Sequence, residues 1–301
     1  MRTVTCGVLP DAERYVSQDI TLGLWERMCT VRYFEEGVKQ AVRDGFITAP
    51  VYLSSGQEAT AAAMSLAIPG FMIFAQHRCH ATYLCWGGSP ERLRDELLGL
   101  PTGTSGGRAG SNCVQGHGDS MTMYGHHGLI GENVPLAVGA ALGSGRDTVA
   151  FFGDGAAEED YVFSAMGVAV THSLPVLFVC EDNNLSILTP VSVRRSWSLT
   201  NVSQALGMPA AELSDDPWSV YATALGMKEQ LPGFINTFTC RANWHVGVGD
   251  DGPPEWDRFG IVRDEMKSIG LAGEVERIEL ETMKRMAGIW EKGLLQRLSG
   301  K

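Results

Sequence analysis

The sequence predicts an α/β protein built on a doubly wound, mostly parallel sheet that is flanked by helices. Residues 149–152 form a short apolar run that stops at Gly153-Asp154-Gly155, which is typical of a buried strand ending in a tight turn. Residues 176–180 form a second such run, and residues 162–169 between them carry apolar side chains at helical spacing. Two strands joined by a helix make a right-handed parallel unit, so we expect both strands to end at the same edge of one sheet.

The N-terminal part of the chain predicts an arm followed by two helices. Residues 1–18 show no clear periodicity, and Asp19 is the predicted cap of a helix whose apolar side chains recur every three or four residues. Arg32 and Glu36 lie four residues apart on this helix, and we expect them to pair along its surface. The helix ends at Asp44-Gly45, and an alanine-rich helix follows between residues 54 and 66.

The middle of the chain continues this alternation. Residues 71–75 predict a third strand, and Ser89-Pro90-Glu91 supplies a cap, a proline and an acid for the first turn of a helix that runs to residue 98. Residues 99–118 contain seven glycines and predict a mobile loop, for which a disordered linker is the alternative. The small residues between 134 and 142 predict a helix that other groups can approach closely.

The C-terminal third is predicted to be mostly helical. Residues 201–206 and 217–225 predict short helices, and residues 234–240 predict a further strand from their aromatic and β-branched content. From Trp256 onward the sequence is rich in charged residues and predicts helices, whose recurring apolar side chains are expected to be buried. No linker interrupts the chain, so we interpret residues 1–301 as a single domain with an N-terminal arm and C-terminal helices.

Composition excludes several classes of protein. The net charge of -11 without a basic run argues against nucleic acid as a partner. No run approaches the ~20 apolar residues that span a bilayer, and the start of the chain lacks a basic-then-apolar leader, so we expect no membrane association and a cytoplasmic or organelle-soluble protein. The seven cysteines have no CxxC spacing and favour reduced thiols.

The two turns after the paired strands predict a ligand site. Open α/β sheets bind ligands at the carboxyl ends of their strands, where Asp154 and Asn183 are expected to lie side by side. A carboxylate, an amide oxygen and a backbone carbonyl of the second turn are oxygen ligands suited to Mg²⁺. The glycines allow backbone to approach phosphate oxygens at the start of the following helix. The predicted ligand is therefore a metal-bound diphosphate.

The spacing of Gly-Asp-Gly and Asn-Asn resembles the diphosphate motif of thiamine diphosphate enzymes. The sequence GDGAA followed by LPVLFVCEDN is similar to the alpha subunit of the E1 component of 2-oxo acid dehydrogenases. The resemblance implies a thiamine diphosphate-binding fold in which the side chains of Asp154 and Asn183 and the carbonyl of Leu185 hold Mg²⁺. It also implies that the backbone of Gly153, Gly155 and Ala156 binds the diphosphate.

Further short sequences resemble the same family but differ from its pattern at single positions. The family carries Tyr-Arg-x-His where this chain has His77-Arg78-Cys79-His80, which implies that Arg78 clamps the diphosphate and that His80 is catalytic. His77 replaces the family tyrosine, while Tyr52 stands where the family often has a histidine. Residues 77–80 also form an HxxH pattern, so zinc, and with it a zinc hydrolase, is the alternative interpretation. Two further departures, Asp119 and Thr122, fall in the segment that follows the glycine-rich loop.

Two more segments contribute to the predicted site. The resemblance implies that the backbone of Gly128 and Ile130 bonds to the aminopyrimidine, and neighbouring His126 and His127 are within reach of the reacting centre. An arginine followed four residues later by a histidine matches Arg241 and His245, which makes His245 the leading catalytic histidine, as a proton donor or a stabiliser of developing charge.

The function that the resemblance implies is thiamine diphosphate-dependent decarboxylation of a 2-oxo acid with acyl transfer, ultimately to a lipoyl carrier protein. An E1 beta-like chain is expected to complete the site in a heterotetramer. A biosynthetic carboligase or a ketol or acyl transferase of the same two-subunit type, acting on a small carbonyl substrate, is the alternative. A partner-binding subunit without turnover is the third interpretation. No GxGxxG follows a predicted strand, which disfavours a nicotinamide-binding fold.

Overall fold

A computed structural model describes residues 16–118, 121–126 and 128–298. Most of the predicted N-terminal arm, together with Asp119 and His127, lies outside the described residues. The strands are β1 Met72–Phe74, β2 Gly116–His117, β3 Thr122–Tyr124, β4 Thr148–Gly153, β5 Val176–Asp182, β6 Leu185–Ser186, β7 Thr189–Pro190, β8 Ala210–Ser214 and β9 Gly233–Phe238. The helices are α1 Gln18–Arg43, α2 Glu58–Ala67, α3 His80–Cys85, α4 Pro90–Leu97, α5 Asn133–Ser144, α6 Asp160–Thr171, α7 Val191–Arg194, α8 Leu199–Ala205, α9 Pro217–Met227, α10 Arg258–Ser268 and α11 Ala272–Leu298.

Seven of the strands form one sheet in the order β2-β3-β1-β4-β5-β9-β8. All neighbouring pairs in this sheet are parallel except β2 and β3, which are antiparallel. Gly153 at the end of β4 lies opposite Glu181 in β5, and Phe238 at the end of β9 lies opposite Asp182. The turns that follow β1, β4, β5 and β9 therefore come out at the same edge of the sheet, as predicted for the first two long strands.

Both faces of the central strands are buried, which is why their sequences are continuous apolar runs. Val149 and Phe151 of β4 belong to a core cluster shared with α1, α2, α9 and α11. Ala150 and Phe152 belong to a second cluster, shared with α5, α6 and α8. The alternation of side chains along one strand thus supplies two cores, and the prediction of a parallel sheet covered by helices on both faces is confirmed.

Some local predictions were wrong. Ser17 caps α1 in place of Asp19, because its hydroxyl accepts a hydrogen bond from the backbone N–H of Ile20 at 3.3 Å. Arg32 does not pair with Glu36 along the helix surface. Its Nε donates to Oε1 of Glu58 at 2.5 Å, which ties α1 to the start of α2.

The glycine-rich loop is organised around one carboxylate. Glu96 is 1% exposed, and its two oxygens accept backbone N–H groups from loop residues Ser105, Gly107 and Ala109 at 2.6 to 3.0 Å. The predicted mobile loop is therefore a set of turns with a common hydrogen-bond acceptor, and it leads into β2. Composition alone did not reveal this acceptor, because it lies on the preceding helix.

Candidate active site at the carboxyl edge of the sheet

The turns after β1, β4, β5 and β9 surround one cavity, which contains about 720 Å³ of empty space, part of it open to solvent. Nine of the predicted site residues line it: Arg78, Ile130, Gly153, Asp154, Gly155, Ala156, Asn183, Leu185 and His245. The other two, His80 and Gly128, do not. Ile130 comes from the segment after β3, so the fold brings together residues from five segments that are far apart in sequence.

The three predicted metal ligands lie together in this cavity. The carboxyl of Asp154 is almost fully buried at 1% exposure. The Oδ1 atom of Asn183 accepts the N–H of Leu185 at 3.1 Å, and its Nδ2 donates to Oε1 of Gln57 at 3.0 Å. These bonds fix the amide orientation, so a carboxylate, an amide oxygen and a backbone carbonyl are available at one end of the cavity.

Two arginines supply positive charge beside Asp154. Arg194 donates to Oδ2 of Asp154, and Nη1 of Arg195 donates to its backbone carbonyl at 2.7 Å. Both guanidinium groups also reach Oε1 of Glu158, at 2.5 and 3.1 Å. Burial, followed by the charge of Asp182, raises the pKa of Asp154 to about 6, and the arginines oppose that rise. The ionised carboxyl is therefore costly unless a cation lies next to it.

A second group of buried positive charges lies at the cavity: Arg78 lines it, and Arg241 lies near Arg78 without lining it. Arg78 is 4% exposed, and its Nη2 donates to the carbonyl of His245 at 3.4 Å. Burial, followed by the charge of Arg241, lowers the pKa of Arg78 to about 10. Arg241 is itself 2% exposed, its Nε donates to Asp251 at 2.6 Å, and its Nη1 has no hydrogen-bond partner. Two repelling guanidinium groups are the arrangement that an anionic ligand stabilises.

The turn at residues 154–156 needs a glycine at its centre. A Cβ atom on Gly155 would lie 2.7 Å from Oγ of Ser186, so a side chain there would collide with β6. The same turn continues into a short 3₁₀ turn at Ala156–Glu158 and then into α6. Backbone amide groups at such a turn are suited to phosphate oxygens.

Two histidines with low pKa values line the cavity. Burial, followed by the charge of Arg78, lowers the pKa of His77 well below its usual value. Burial, followed by Arg78 and Arg241, lowers the pKa of His245 to about 4. Both rings are therefore neutral at pH 7, so each can donate one N–H bond and accept another.

His80 does not line the cavity, so its predicted catalytic role stays a prediction that the cavity does not support. It is fully buried, and its Nδ1 lies 3.0 Å from Oε1 of Glu35. Its Nε2 lies 2.9 Å from Oγ of Ser111, and that Oγ accepts the backbone N–H of Tyr52 at 2.9 Å. The carboxylate can only accept, so Nδ1 carries the proton and Nε2 accepts from the serine. We call these three side chains, Glu35, His80 and Ser111, the buried relay.

The segment predicted to contact a pyrimidine is only partly at the cavity. Ile130 lines it, and its carbonyl accepts from the hydroxyl of Tyr161. The N–H of Gly128 instead donates to Nδ1 of His126 at 3.0 Å, and His126 is the residue that lines the cavity there. The N–H of Gly128 is thus used within the turn, and a role of its carbonyl towards the pyrimidine stays a prediction.

The sequence analysis did not predict that Gln76 and Glu181 line the cavity. Glu181 is 4% exposed near the end of β5, and its Oε2 accepts from Nε2 of Gln76. Burial raises the pKa of Glu181 to about 7, against the opposing effects of Gln76 and Arg78. Two carboxyls, Glu181 and Asp182, at the end of a buried apolar strand were the signal that could have identified it.

The geometry gives no support to the alternative interpretation of a zinc site. In the described part of the chain no group of three or more His, Cys, Asp or Glu side chains is placed to hold a metal ion. No helix among the described residues is both long enough and apolar enough to cross a membrane.

Comparison with known structures and sequences shows which proteins share this α/β architecture. Transketolases from Leishmania mexicana and Campylobacter jejuni subsp. jejuni NCTC 11168 share its fold, with TM-scores of 0.53 and 0.56 and identities of 17% and 13%. Each comparison covers 93% of this chain, and 47% and 49% of the respective transketolase. The family model described as Dehydrogenase E1 component matches residues 26–253, so the chain belongs to the dehydrogenase E1 component family.

Curated relatives agree with this family assignment. The chain is 33% identical over 206 residues to the pyruvate dehydrogenase E1 component subunit alpha of Rhizobium meliloti (strain 1021), which covers 65% of this chain and 58% of that protein. It is 33% identical over 271 residues to the mitochondrial subunit alpha of Chaetomium thermophilum, which covers 83% of this chain and 62% of that protein. The chain thus spans about three-fifths of the length of these two relatives.

Proposed function

We propose that this chain is the alpha-type subunit of a thiamine diphosphate-dependent enzyme that decarboxylates a 2-oxo acid and transfers the acyl group. The observation that carries the proposal is the meeting of Asp154, Asn183, Leu185 and Arg78 in one cavity at the carboxyl edge of the sheet. Membership of the dehydrogenase E1 component family supports it. The names of the relatives, which are pyruvate dehydrogenase subunits, favour pyruvate as the first 2-oxo acid to test.

The residues of the cavity fit Mg²⁺ and a diphosphate. The oxygens of Asp154, Asn183 and Leu185 are hard ligands of the kind Mg²⁺ takes, and the remaining positions suit phosphate oxygens. The unpartnered Nη1 of buried Arg241, close to Arg78, suits an anion on the other side. We therefore assign the metal to the first group of residues. We assign the diphosphate to Arg78 and the backbone of the turn at residues 153–156.

When bound, thiamine diphosphate supplies a carbon nucleophile and an electron sink for cleavage of the bond next to the carbonyl. The residues of this chain orient the cofactor and neutralise the charge of its diphosphate. Arg78 and the metal ligands fix the anionic tail, and the neutral ring of His245 donates or accepts one hydrogen bond beside it. Negative charge from a bound diphosphate raises the proton affinity of that ring, which suits a proton-donating role. Ile130 offers its backbone to the flat ring of the cofactor.

A second, beta-type chain is part of this proposal, as in a heterotetramer. Apolar side chains at the cavity are exposed: Ile187, which lines it, by 58%, and Leu129, the neighbour of Ile130 in the chain, by 63%. A partner chain that covers them would also close the cavity from the solvent side. A lipoyl carrier protein as acyl acceptor and a cytoplasmic location both remain predictions.

Cofactor binding by the chain tests the site directly. Calorimetric titration of the chain together with its beta-type partner, with thiamine diphosphate in the presence of Mg²⁺, should show binding, and Asp154→Asn should weaken it by about tenfold or more because the charged metal ligand is lost. Asp264→Asn is the matched control, because Asp264 is an exposed carboxyl on α10 with a side chain that is 77% exposed. Equal affinity of the Asp154 variant and the wild type would contradict the metal site.

Turnover tests the reaction. The chain co-expressed with its beta-type partner should release carbon dioxide from pyruvate and reduce an artificial electron acceptor, with a requirement for thiamine diphosphate and Mg²⁺. A requirement for an aldehyde acceptor instead would indicate the carboligase or transferase alternative. Absence of cofactor binding with any partner would leave only a binding role.

A further inference from the structure

A second cavity lies next to the candidate active site. It contains about 1160 Å³ of empty space, part of it open to solvent, and it is lined by β5, β8, β9 and the segment from α7 to α8. Asp182, Arg195, Trp197, Glu212 and Asn236 are among its lining residues. We call it the second cavity, and we call the cavity of the candidate active site the first cavity. The described residues that line the two cavities form separate sets.

The end of β5 separates the two cavities. Glu181 lines the first cavity and its neighbour Asp182 lines the second, because adjacent side chains of a strand point to opposite faces. Phe234 of β9 belongs to the core cluster shared with α5, α6 and α8, and Asn236 lies two residues further along the same strand. The second cavity therefore lies on that face of the sheet.

Asn236 is a polar residue in the buried middle of the sheet. It lies in β9, opposite Cys180 of β5 and Glu212 of β8, and it is 2% exposed. Neither its Nδ2 nor its Oδ1 has a hydrogen-bond partner among the described residues. A buried amide without partners is costly, so an amide that lines a cavity is suited to a ligand that supplies both missing bonds.

Arg195 offers a further donor to the second cavity. Its side chain is 3% exposed, and its Nη1 donates to the carbonyl of Asp154 at 2.7 Å and to Oε1 of Glu158 at 3.1 Å. The central carbon of its guanidinium lies 5.0 Å from the centroid of the Trp197 ring. Its Nε atom, by contrast, is buried, and nothing in the described part of the chain accepts its proton. The group is thus held in place by its other contacts and leaves Nε for a ligand oxygen.

The open hydrogen-bonding atoms define the chemistry of the ligand. Two of them, Nδ2 of Asn236 and Nε of Arg195, are donors, and Oδ1 of Asn236 is an acceptor. A carbonyl oxygen has two lone pairs and can accept from both donors, while an N–H group beside it can donate to the acceptor. An amide edge, which is a carbonyl next to an N–H group, therefore satisfies all three atoms.

The charges around the second cavity disfavour an anionic ligand. The carboxyls of Asp182 and Glu212 line it together with the guanidinium of Arg195. Nη2 of Arg195 already lies 3.7 Å from Oδ2 of Asp182. A carboxylate ligand would meet these two carboxyls and would have no N–H for Asn236. An ammonium ligand would have no acceptor for the two open donors, so an uncharged ligand fits best.

We propose that the second cavity binds a small uncharged molecule through an amide edge, such as that of a carboxamide or a lactam, and that Asn236 and Arg195 recognise it. The carbonyl oxygen of the ligand accepts from Nδ2 of Asn236 and Nε of Arg195, and its N–H donates to Oδ1 of Asn236. The inference is independent of the proposed function, because neither residue is assigned to the metal or to the diphosphate.

Benzamide and benzoate are matched probes for this site, because they have nearly the same shape and differ in the N–H donors and the charge. Calorimetric titration of the full chain, without metal or cofactor, should show saturable binding of benzamide. Benzoate should bind about tenfold more weakly or less, since it leaves Oδ1 of Asn236 unpaired. Absence of saturable benzamide binding would mean that water is the only partner of the amide and would overturn the proposal. Equal or tighter binding of benzoate would overturn it as well.

A substitution at Asn236 tests the assigned contact. Asn236→Leu nearly keeps the size of the side chain and removes both open atoms, so it should weaken benzamide binding by about tenfold or more. Asn201→Leu is the matched control, because Asn201 is an exposed asparagine on α8 that does not line the second cavity, and it should keep the wild-type affinity. Equal affinity of Asn236→Leu and the wild type, or an equal loss in the control, would overturn the assignment.

Two readouts separate a ligand contact from a structural role of Asn236. The thermal unfolding midpoint of Asn236→Leu should be at or above that of the wild type, because the lost amide has no partner within the fold. A midpoint several degrees lower would contradict that premise and overturn the proposal. In the wild type, NMR should show that benzamide shifts the signals of the Asn236 side-chain amide and of Nε of Arg195. Unchanged signals at saturating benzamide would place the probe elsewhere and would also overturn it.

Discussion

Replacing Glu181 with glutamine changes how stability depends on pH, and the structure sets both the sign and the size of the change. The carboxyl of Glu181 is buried at the floor of the cavity, where it accepts from Gln76. Burial raises its pKa from 4.5 to about 7. Glutamine has nearly the same shape and can still accept that hydrogen bond, so the substitution removes the titration and little else.

The sign follows from the raised pKa. A carboxyl with a higher pKa in the folded state binds its proton more tightly there than in the unfolded chain. Its contribution to stability is therefore fully present below about pH 4.5 and is lost as the pH rises through about 7. At about 1.4 kcal/mol for each pH unit, the shift corresponds to about 3 kcal/mol. At pH 8 we expect Glu181→Gln to be more stable than the wild type by up to that amount, and at pH 5 to be nearly equal to it.

Urea unfolding between pH 5 and pH 8, without added metal, measures this difference. Asp154 also has a raised pKa and changes stability in the same direction, so the comparison between variant and wild type isolates Glu181. Glu276→Gln serves as the control, because that side chain is 69% exposed and has no burial to relieve. A difference between Glu181→Gln and the wild type that stays constant from pH 5 to pH 8 would refute the reasoning.

Two further substitutions test the supports of the site. His80→Ala should lower the free energy of unfolding by about 3 kcal/mol, because it removes the buried imidazole that bonds to Glu35 and Ser111 and leaves Glu35 with the backbone N–H of Ser54; urea unfolding checks this, and a loss near zero would mean that the relay does not stabilise the chain. Gly155→Ala should cost about 1 to 3 kcal/mol through the collision with Ser186 and weaken cofactor binding. Gly139→Ala in α5, where a Cβ atom meets no other atom within 4 Å, should instead be neutral or stabilising, and equal effects of the two would contradict the steric explanation.

The parts of the fold that the sequence predicted best are those in which local pattern and tertiary position agree. The two central strands are apolar because both of their faces are buried. The first and last apolar residues of each run therefore lie close to the ends of the strand. The short strands β2, β3 and β8 were missed, since strands of two to five residues with few fully buried side chains carry little pattern.

The candidate site was predictable where it depends on turns and unpredictable where it depends on distant contacts. Asp154 and Asn183 follow long strands, so parallel pairing was enough to bring them together. His80 was expected to be catalytic because it matches the histidine of the Tyr-Arg-x-His sequence that the chain resembles. Its burial is set by Glu35 and Ser111, which are 45 and 31 residues away. A contact between residues so far apart in the chain leaves no signal in the local sequence. The contact between the rings of Tyr52 and His77 could not be predicted for the same reason.

The charges of the cavity constrain which ligand can satisfy it. A metal ion alone would stabilise Asp154 and leave the repulsion between buried Arg78 and Arg241 unrelieved. An anion alone would relieve the arginines but would enter a cavity that also contains the carboxyls of Asp154 and Glu181. A diphosphate that arrives with its metal meets both demands, because the cation lies against the carboxyl and the anion against the guanidinium groups. Each partner then strengthens binding of the other by the same factor, since the coupling free energy is shared. If the cavity binds both, as proposed, we expect binding of the metal and of the diphosphate tail to be one coupled event that depends on Asp154 and on Arg78.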